Sequence, residues 1–200
     1  MSRIFAAILL ACGVGVAAPA LAANPVRVSG TIEQVQGSAL TVAEANGDKV
    51  VVTLSDDAKV FLIVPVKPAD IKAGAFIGAG AVKGSDGLLH ARSVFVFPEA
   101  QRGLGEGQRA WNVMPGGVMT NATIAEVAAA PSGQTISLTY KGGTAEIAID
   151  PDTAITTAEP ADRSILQAGR TASLFATPAA DGSLTAASVR VDADGVKPAP

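Results

Sequence analysis

Apolar and polar side chains alternate with a period of two through "VRVSGTIEQV" (26–35), "ALTVAEA" (39–45), "KVVVTLS" (49–55) and "LLHARSVFVF" (88–97). Alternation places successive side chains on opposite faces, as in a half-buried strand, and the Val, Thr and Ile content suits a pleated surface. Between and beyond these runs sit Gly37-Ser38, Asn46-Gly47, Asp86-Gly87, Gly142-Gly143 and Asp181-Gly182. Asn-Gly and Asp-Gly accept the positive φ angles of tight hairpins, so the pattern predicts short antiparallel strands in succession. Only "PADIKAG" (68–74) and "PADRSILQAG" (160–169) read as helical, and each stops at Gly.

The pattern occurs twice. Residues 65–96 match residues 160–191 at an offset of 95, with eleven of 32 positions identical and no gap. The matches include the Asp-Gly turns, Ala73-Gly74 against Ala168-Gly169, and Ser93-Val94 against Ser188-Val189. Upstream the offset falls to 92, where "TIEQV" (31–35) faces "TIAEV" (123–127), and an insertion around Pro131-Ser132-Gly133 absorbs the difference. Self-similarity of this kind predicts a tandem duplication. Five or six short strands with one helical turn before the last hairpin suit a small closed barrel of OB type, which leaves no sheet edge exposed. The expected class is therefore all-β: two tandem small OB-like β-barrels with short helical turns, over 24–97 and 121–197, joined by residues 98–120. A two-sheet sandwich is the alternative.

The first 23 residues do not follow the strand pattern. "MSRIFAAILLACGVGVAAPALAA" has one basic residue, Arg3, then an apolar run, then Ala20-Leu21-Ala22, with small residues at the cleavage positions. This is the layout of a secretory signal, with cleavage expected after Ala22 or Ala23 and a periplasmic or secreted product. "LLAC" ending at Cys12 is a short lipobox-like alternative that would anchor the chain by lipid. Cys12 is the only cysteine, so the exported product would lack disulfides and thiolate chemistry. No later run is long and apolar enough to span a bilayer, so no membrane span is expected after cleavage.

Charge and side-chain chemistry narrow the function. The whole chain has a formal net charge of −3, and losing Arg3 makes it one unit more negative. A basic nucleic-acid footprint is therefore absent, and aromatics for base stacking are few. With one His and no cysteine after cleavage, neither a Ser-His-Asp nor a Cys-His arrangement has support, so an enzyme is not expected. No cofactor motif stands out. "GLGEG" (103–107) lacks the Gly-Lys-Ser/Thr of a phosphate loop and reads as flexible connection. "DPD" (150–152) and "DAD" (192–194) fall short of a calcium loop. Asn121 fits a sequon, but its counterpart Ser29 makes it read as strand entry.

The distinctive side chains gather in the joint. "RAWNVMPGGVMT" (109–120) contains the only Trp and both non-initiator methionines. Such a segment is too apolar for a free linker. Trp111, Met114 and Met119 are expected to pack between the barrels, and with Arg109 they are the candidate contacts for a ligand or partner. A soft-metal reading would combine His90, Met114 and Met119 as ligands for Cu(I). His90 otherwise reads as a solvent-facing strand residue.

"GTIEQVQGSALTV", "VFPEAQRGLGEGQRAW", "MPGGVMTNATI" and "DGSLTAASVRV" together resemble a family of exported bacterial proteins whose barrel-like repeat is a domain of unknown function. Members are often labelled "metal ABC transporter permease". The resemblance spans the chain after residue 23 and implies an exported barrel protein. A permease role would need membrane spans, which this chain lacks after cleavage. The family commonly has His at the position of Gln108 and Pro at that of Ala110. These readings point to a non-enzymatic periplasmic binding or envelope-interaction module, whose partner would be an envelope protein or a small ligand. The alternative is a periplasmic accessory handling copper or a divalent metal for a transport system.

Overall fold

The computed structural model describes residues 24–130 and 133–196. The expected signal segment, Cys12 and the insertion residues Pro131 and Ser132 lie outside them. Twelve strands make up the described chain: β1 (26–36), β2 (39–44), β3 (49–65), β4 (76–83), β5 (89–96), β6 (107–111), β7 (117–130), β8 (133–140), β9 (143–149), β10 (154–161), β11 (171–178) and β12 (184–192). Among the described residues the only helical pieces are single 3₁₀ turns at 68–70, 99–101 and 163–165. The helix expected over 160–169 is thus one short turn, and Pro160 and Ala161 belong to β10. Hairpin positions behave as read: Gly47, Gly87 and Gly182 all have φ near +90°, a conformation that costs a side-chain-bearing residue most.

Pairing closes the strands into rings instead of the two stacked sheets of a sandwich. β1 pairs with β2, β2 with β3, β3 with β12 in parallel, β12 with β11, and β11 with β1. This is a closed five-stranded barrel. Its interior holds Ile32, Leu40, Val42, Val52 and Leu54 from the first three strands and Leu174, Ala176, Val189 and Val191 from the last two. A second ring runs β7–β8–β9, then β5 and β4 back to β7. It closes through only two residue pairs, Leu89 with Ile147 and His90 with Ala148. Ile77, Val94, Ile124, Ile136, Leu138 and Ile147 fill it.

Each ring therefore takes three strands from one half of the chain and a hairpin from the other. This corrects the expected division into 24–97 and 121–197, in which each half would close on itself. The exchange is reciprocal in register. Ser188 faces Lys59 in one parallel pair and Ser93 faces Ala154 in the other, and both members differ by the 95-residue offset of the sequence match. β3 and β10 pair antiparallel, with Ile63 opposite Ala158, again 95 apart, so exchanging the halves maps this pair onto itself. Ile71 and Leu166, which follow the equivalent 3₁₀ turns, plug the second and first cores respectively.

The local cause is the extended run through residues 60–65. Val60, Ile63 and their neighbours continue β3 as an extended strand with β10 on one side and β12 on the other. A chain that stays extended there delivers its hairpin to the far ring and cannot fold back on its own. The apolar inward positions of either hairpin would fill either barrel, so core burial alone does not choose between closures.

The joint differs from expectation too. β6 lies within it and pairs with β7 from Gly107–Asn121 to Trp111–Gly117, so β7 begins at Gly117 and Asn121 is well inside the strand. The "GLGEG" loop is tied down: Leu104 O accepts from Asn121 Nδ2 at 2.9 Å, and Glu106 Oε1 accepts from the Lys141 amide at 2.9 Å. No described helix is long and apolar enough to cross a membrane.

Candidate functional site

β10 joins the rings, since it pairs with β3 on one side and β5 on the other. Alternate residues of β5, β11 and β12 point away from both cores and face each other across this seam. Between them lies a groove of about 380 Å³, within the size range of pockets that take small ligands. Equivalent positions of the two halves meet in its lining: Ser93 and Ser188, Phe95 and Arg190, Phe97 and Asp192. The groove thus takes residues 95 apart from both halves of the chain, and the two contributions differ chemically. "SVFVF" (93–97) supplies aromatic rings where "SVRVD" (188–192) supplies charge.

The aromatic wall is built on glycine. β4 is buried along Phe76–Ala81, with Ile77, Ala79 and Ala81 turned into the core. Its other face carries Gly78 and Gly80. A Cβ on Gly80 would stand 2.7 Å from the Trp111 ring, and one on Gly78 would stand 3.1 Å from Phe97 and 2.9 Å from Asn121 Oδ1. Trp111 therefore lies flat against the outside of the second ring, 8% exposed, and belongs to neither core. Phe97 meets Phe95 edge-on at 4.9 Å and Phe76 at 5.2 Å between centroids.

The charged wall carries Arg27, Arg109 and Arg190. None of the three forms an ion pair among the described residues. Arg190 is half-buried and its guanidinium carbon sits 5.1 Å over the centre of Phe95, a favourable cation–π separation. Burial, and then the positive charge of Arg27, hold the Arg190 pKa below its usual value. Arg109 donates from Nη1 to Gly105 O at 2.9 Å. Asp192 is the acid of the lining; burial pushes its carboxyl above the ordinary range, opposed by Arg170.

A second cluster lies at the weak closure of the second ring. His90 Nδ1 is 2.9 Å from Asp150 Oδ2, and Nε2 is 3.1 Å from Asp86 Oδ2. Asp86 belongs to the β4–β5 turn and Asp150 follows β9, so the imidazole ties the two elements that meet over only two residue pairs. Hydrogen bonds first to Asp150 and then to Asp86 raise the His90 pKa. Asp86 is held low, first by the Leu88 amide and then by His90. His90 stays on the outer face of β5, 24% exposed, and the two carboxylates are what the strand position alone does not show.

Of the residues singled out from sequence, Arg109, Trp111 and Met119 line the groove. Met114 lies in the β6–β7 turn, where its amide bonds Trp111 O and its carbonyl accepts from Gly117. Met114 and His90 are not in the groove lining, and both ring nitrogens of His90 face carboxylates. The structure thus does not gather the three soft-metal candidates at one cavity. No group of three or more His, Cys, Asp or Glu side chains placed to hold a metal occurs among the described residues. Arg27, Arg190, Phe95, Phe97 and the spacer glycines were not picked out from sequence. The divergence of "SVFVF" from "SVRVD" at otherwise matched positions is the signal that points to them. No protein-family model, curated protein or solved structure matches the chain.

Proposed function

We propose that this protein is an exported, non-enzymatic binding module whose ligand seat is the groove between two OB-like barrels. The observation that carries the reading is the convergence of three arginines without carboxylate partners and a ring of aromatics on one cavity at the seam. Of the three, Arg190 is half-buried while Arg27 and Arg109 are exposed; half-buried charge without a carboxylate partner is costly, and a bound anion at Arg190 would offset that cost. The strand order, three strands followed by a returning hairpin with a parallel closing pair, supports the OB-like assignment for each ring. The 95-residue offset common to the sequence match and the pairing registers supports a duplication whose copies have exchanged hairpins. The amino-terminal layout supports export to the periplasm or beyond.

The reading is tested by native mass spectrometry of the protein after incubation with a small-molecule extract of the bacterial envelope, alongside Trp111 emission. A retained mass with a shifted Trp111 emission, both lost in Trp111→Ala, is expected. No retained mass and an unchanged emission would overturn it.

A further inference from the structure

We propose that the groove binds an anionic amphiphile, a molecule with one carboxylate or phosphate head and an apolar body, with the head between Arg27 and Arg190 and the body along Phe95, Phe97 and Trp111. This deepens the binding-module reading and rests on it.

The argument begins with polarity along the cavity. One half of the chain contributes Phe95 and Phe97, the other Arg190 at the position equivalent to Phe95. A ligand of uniform chemistry would leave one side of such a groove unmatched. An apolar molecule would bury guanidinium groups without partners, and a small inorganic anion would leave the aromatic wall wet.

The head's charge follows from Arg27 and Arg190. Both line the groove, Arg27 is near enough that its positive charge disfavours the charged form of Arg190, and no carboxylate pairs with either among the described residues. An anion between them relieves the repulsion and gains charge-assisted hydrogen bonds, which guanidinium makes well to carboxylate or phosphate. Phe95 holds the Arg190 plane from below at 5.1 Å, which orders the donor before a ligand arrives. Asp192 is the opposing charge in the lining, and burial disfavours its ionised form. The body's character follows from Trp111 and Phe97, which rest on Gly80 and Gly78 and are fixed without side chains beneath them. A cationic amphiphile is excluded by the three arginines.

The test is calorimetric titration of the folded protein with decyl phosphate and decanoate, below their micelle-forming concentrations. Decanol, decyltrimethylammonium and inorganic phosphate serve as comparison ligands. Both anionic amphiphiles are expected to bind, with decyl phosphate at least about tenfold tighter than decanol or inorganic phosphate. Arg190→Gln and the exposed-site variant Arg27→Gln should each weaken decyl phosphate by about tenfold, while Arg92→Gln, outside the groove, leaves it unchanged. Circular dichroism confirms that each variant is folded. Decanol binding as tightly as decyl phosphate, with a Trp111 response, would overturn the anionic class while leaving a binding groove. Inorganic phosphate binding as tightly as decyl phosphate would remove the role of the apolar body. No binding by any of the five would overturn the proposal; if the envelope extract also left no retained mass, the binding-module reading would fall with it.

Discussion

Gly80→Ala isolates the contact on which the aromatic wall depends. The added methyl would stand 2.7 Å from Cη2 and Cζ2 of Trp111, well inside van der Waals contact, and Trp111 is only 8% exposed. Gly117 on β7 lies beside the same ring, where a Cβ would stand 3.2 Å from Cε3. Overpacking of this kind costs about 1–3 kcal/mol. Removing a strand glycine returns about 0.5–1 kcal/mol of backbone entropy. The net expectation is a loss of about 1–2 kcal/mol in urea unfolding, with a red shift in the emission of the only tryptophan as its ring is pushed outward. The clashing atoms belong to the far ring of the indole, so Trp111→Phe removes them. A double-mutant cycle followed by far-ultraviolet circular dichroism should therefore give a coupling of about 1 kcal/mol or more, with Gly80→Ala nearly harmless beside Phe at 111. Additive effects, or a stabilised Gly80→Ala with unchanged emission, would refute the packing described.

The His90 clamp makes stability depend on pH. His90 has a folded-state pKa above its unfolded value, so its contribution is complete below the ordinary imidazole value of about 6.5 and is lost as pH rises through the raised value. Thermal melts should show that loss in the wild type and a flatter profile in both His90→Gln and Asp150→Asn; parallel profiles for all three would contradict it. In the second core, Leu138→Ala should cost about 2–5 kcal/mol, because the side chain is fully buried. The same change at Leu104, 56% exposed, should stay within about 0.5 kcal/mol; equal losses in urea unfolding would mean that the core is misplaced.

Much of the architecture was written in local chemistry. Period-two alternation marked β1, β2, the first part of β3 and β5, and the Gly-containing turns set the hairpins at Asn46-Gly47, Asp86-Gly87 and Asp181-Gly182. The joint is packed in part: Trp111 is buried and Met119 lines the groove, while Met114 lies in the β6–β7 turn and Val113 is 46% exposed. What was not legible depended on contacts distant along the chain. Hairpin exchange leaves every inward residue inward, so no hydrophobic pattern distinguishes it from self-closure. Arg27, Phe95 and Arg190 occupy outward strand positions and Phe97 directly follows β5; such positions read as ordinary solvated faces until β10 draws the two rings together. Of the two carboxylates on His90, Asp86 is four residues away but Asp150 is 60 residues away, so the clamp between β5 and β9 is not visible locally. The short strand β6 was hidden by flanking Gly and Pro, which signal irregular chain whether or not a few residues between them pair.

The reciprocal exchange creates the seam, so the most direct measurement is of strand neighbours. Thr31 on β1 lies opposite Thr171 on β11; if each half closed on itself, the equivalent neighbour would be Phe76. Peptide mapping by mass spectrometry after mild oxidation, in a background with Cys12 replaced by Ser, reads which pair is adjacent. The structure predicts an intrachain disulfide in Thr31→Cys/Thr171→Cys and none in Thr31→Cys/Phe76→Cys. The opposite result would place each hairpin in its own half and remove the groove from between them.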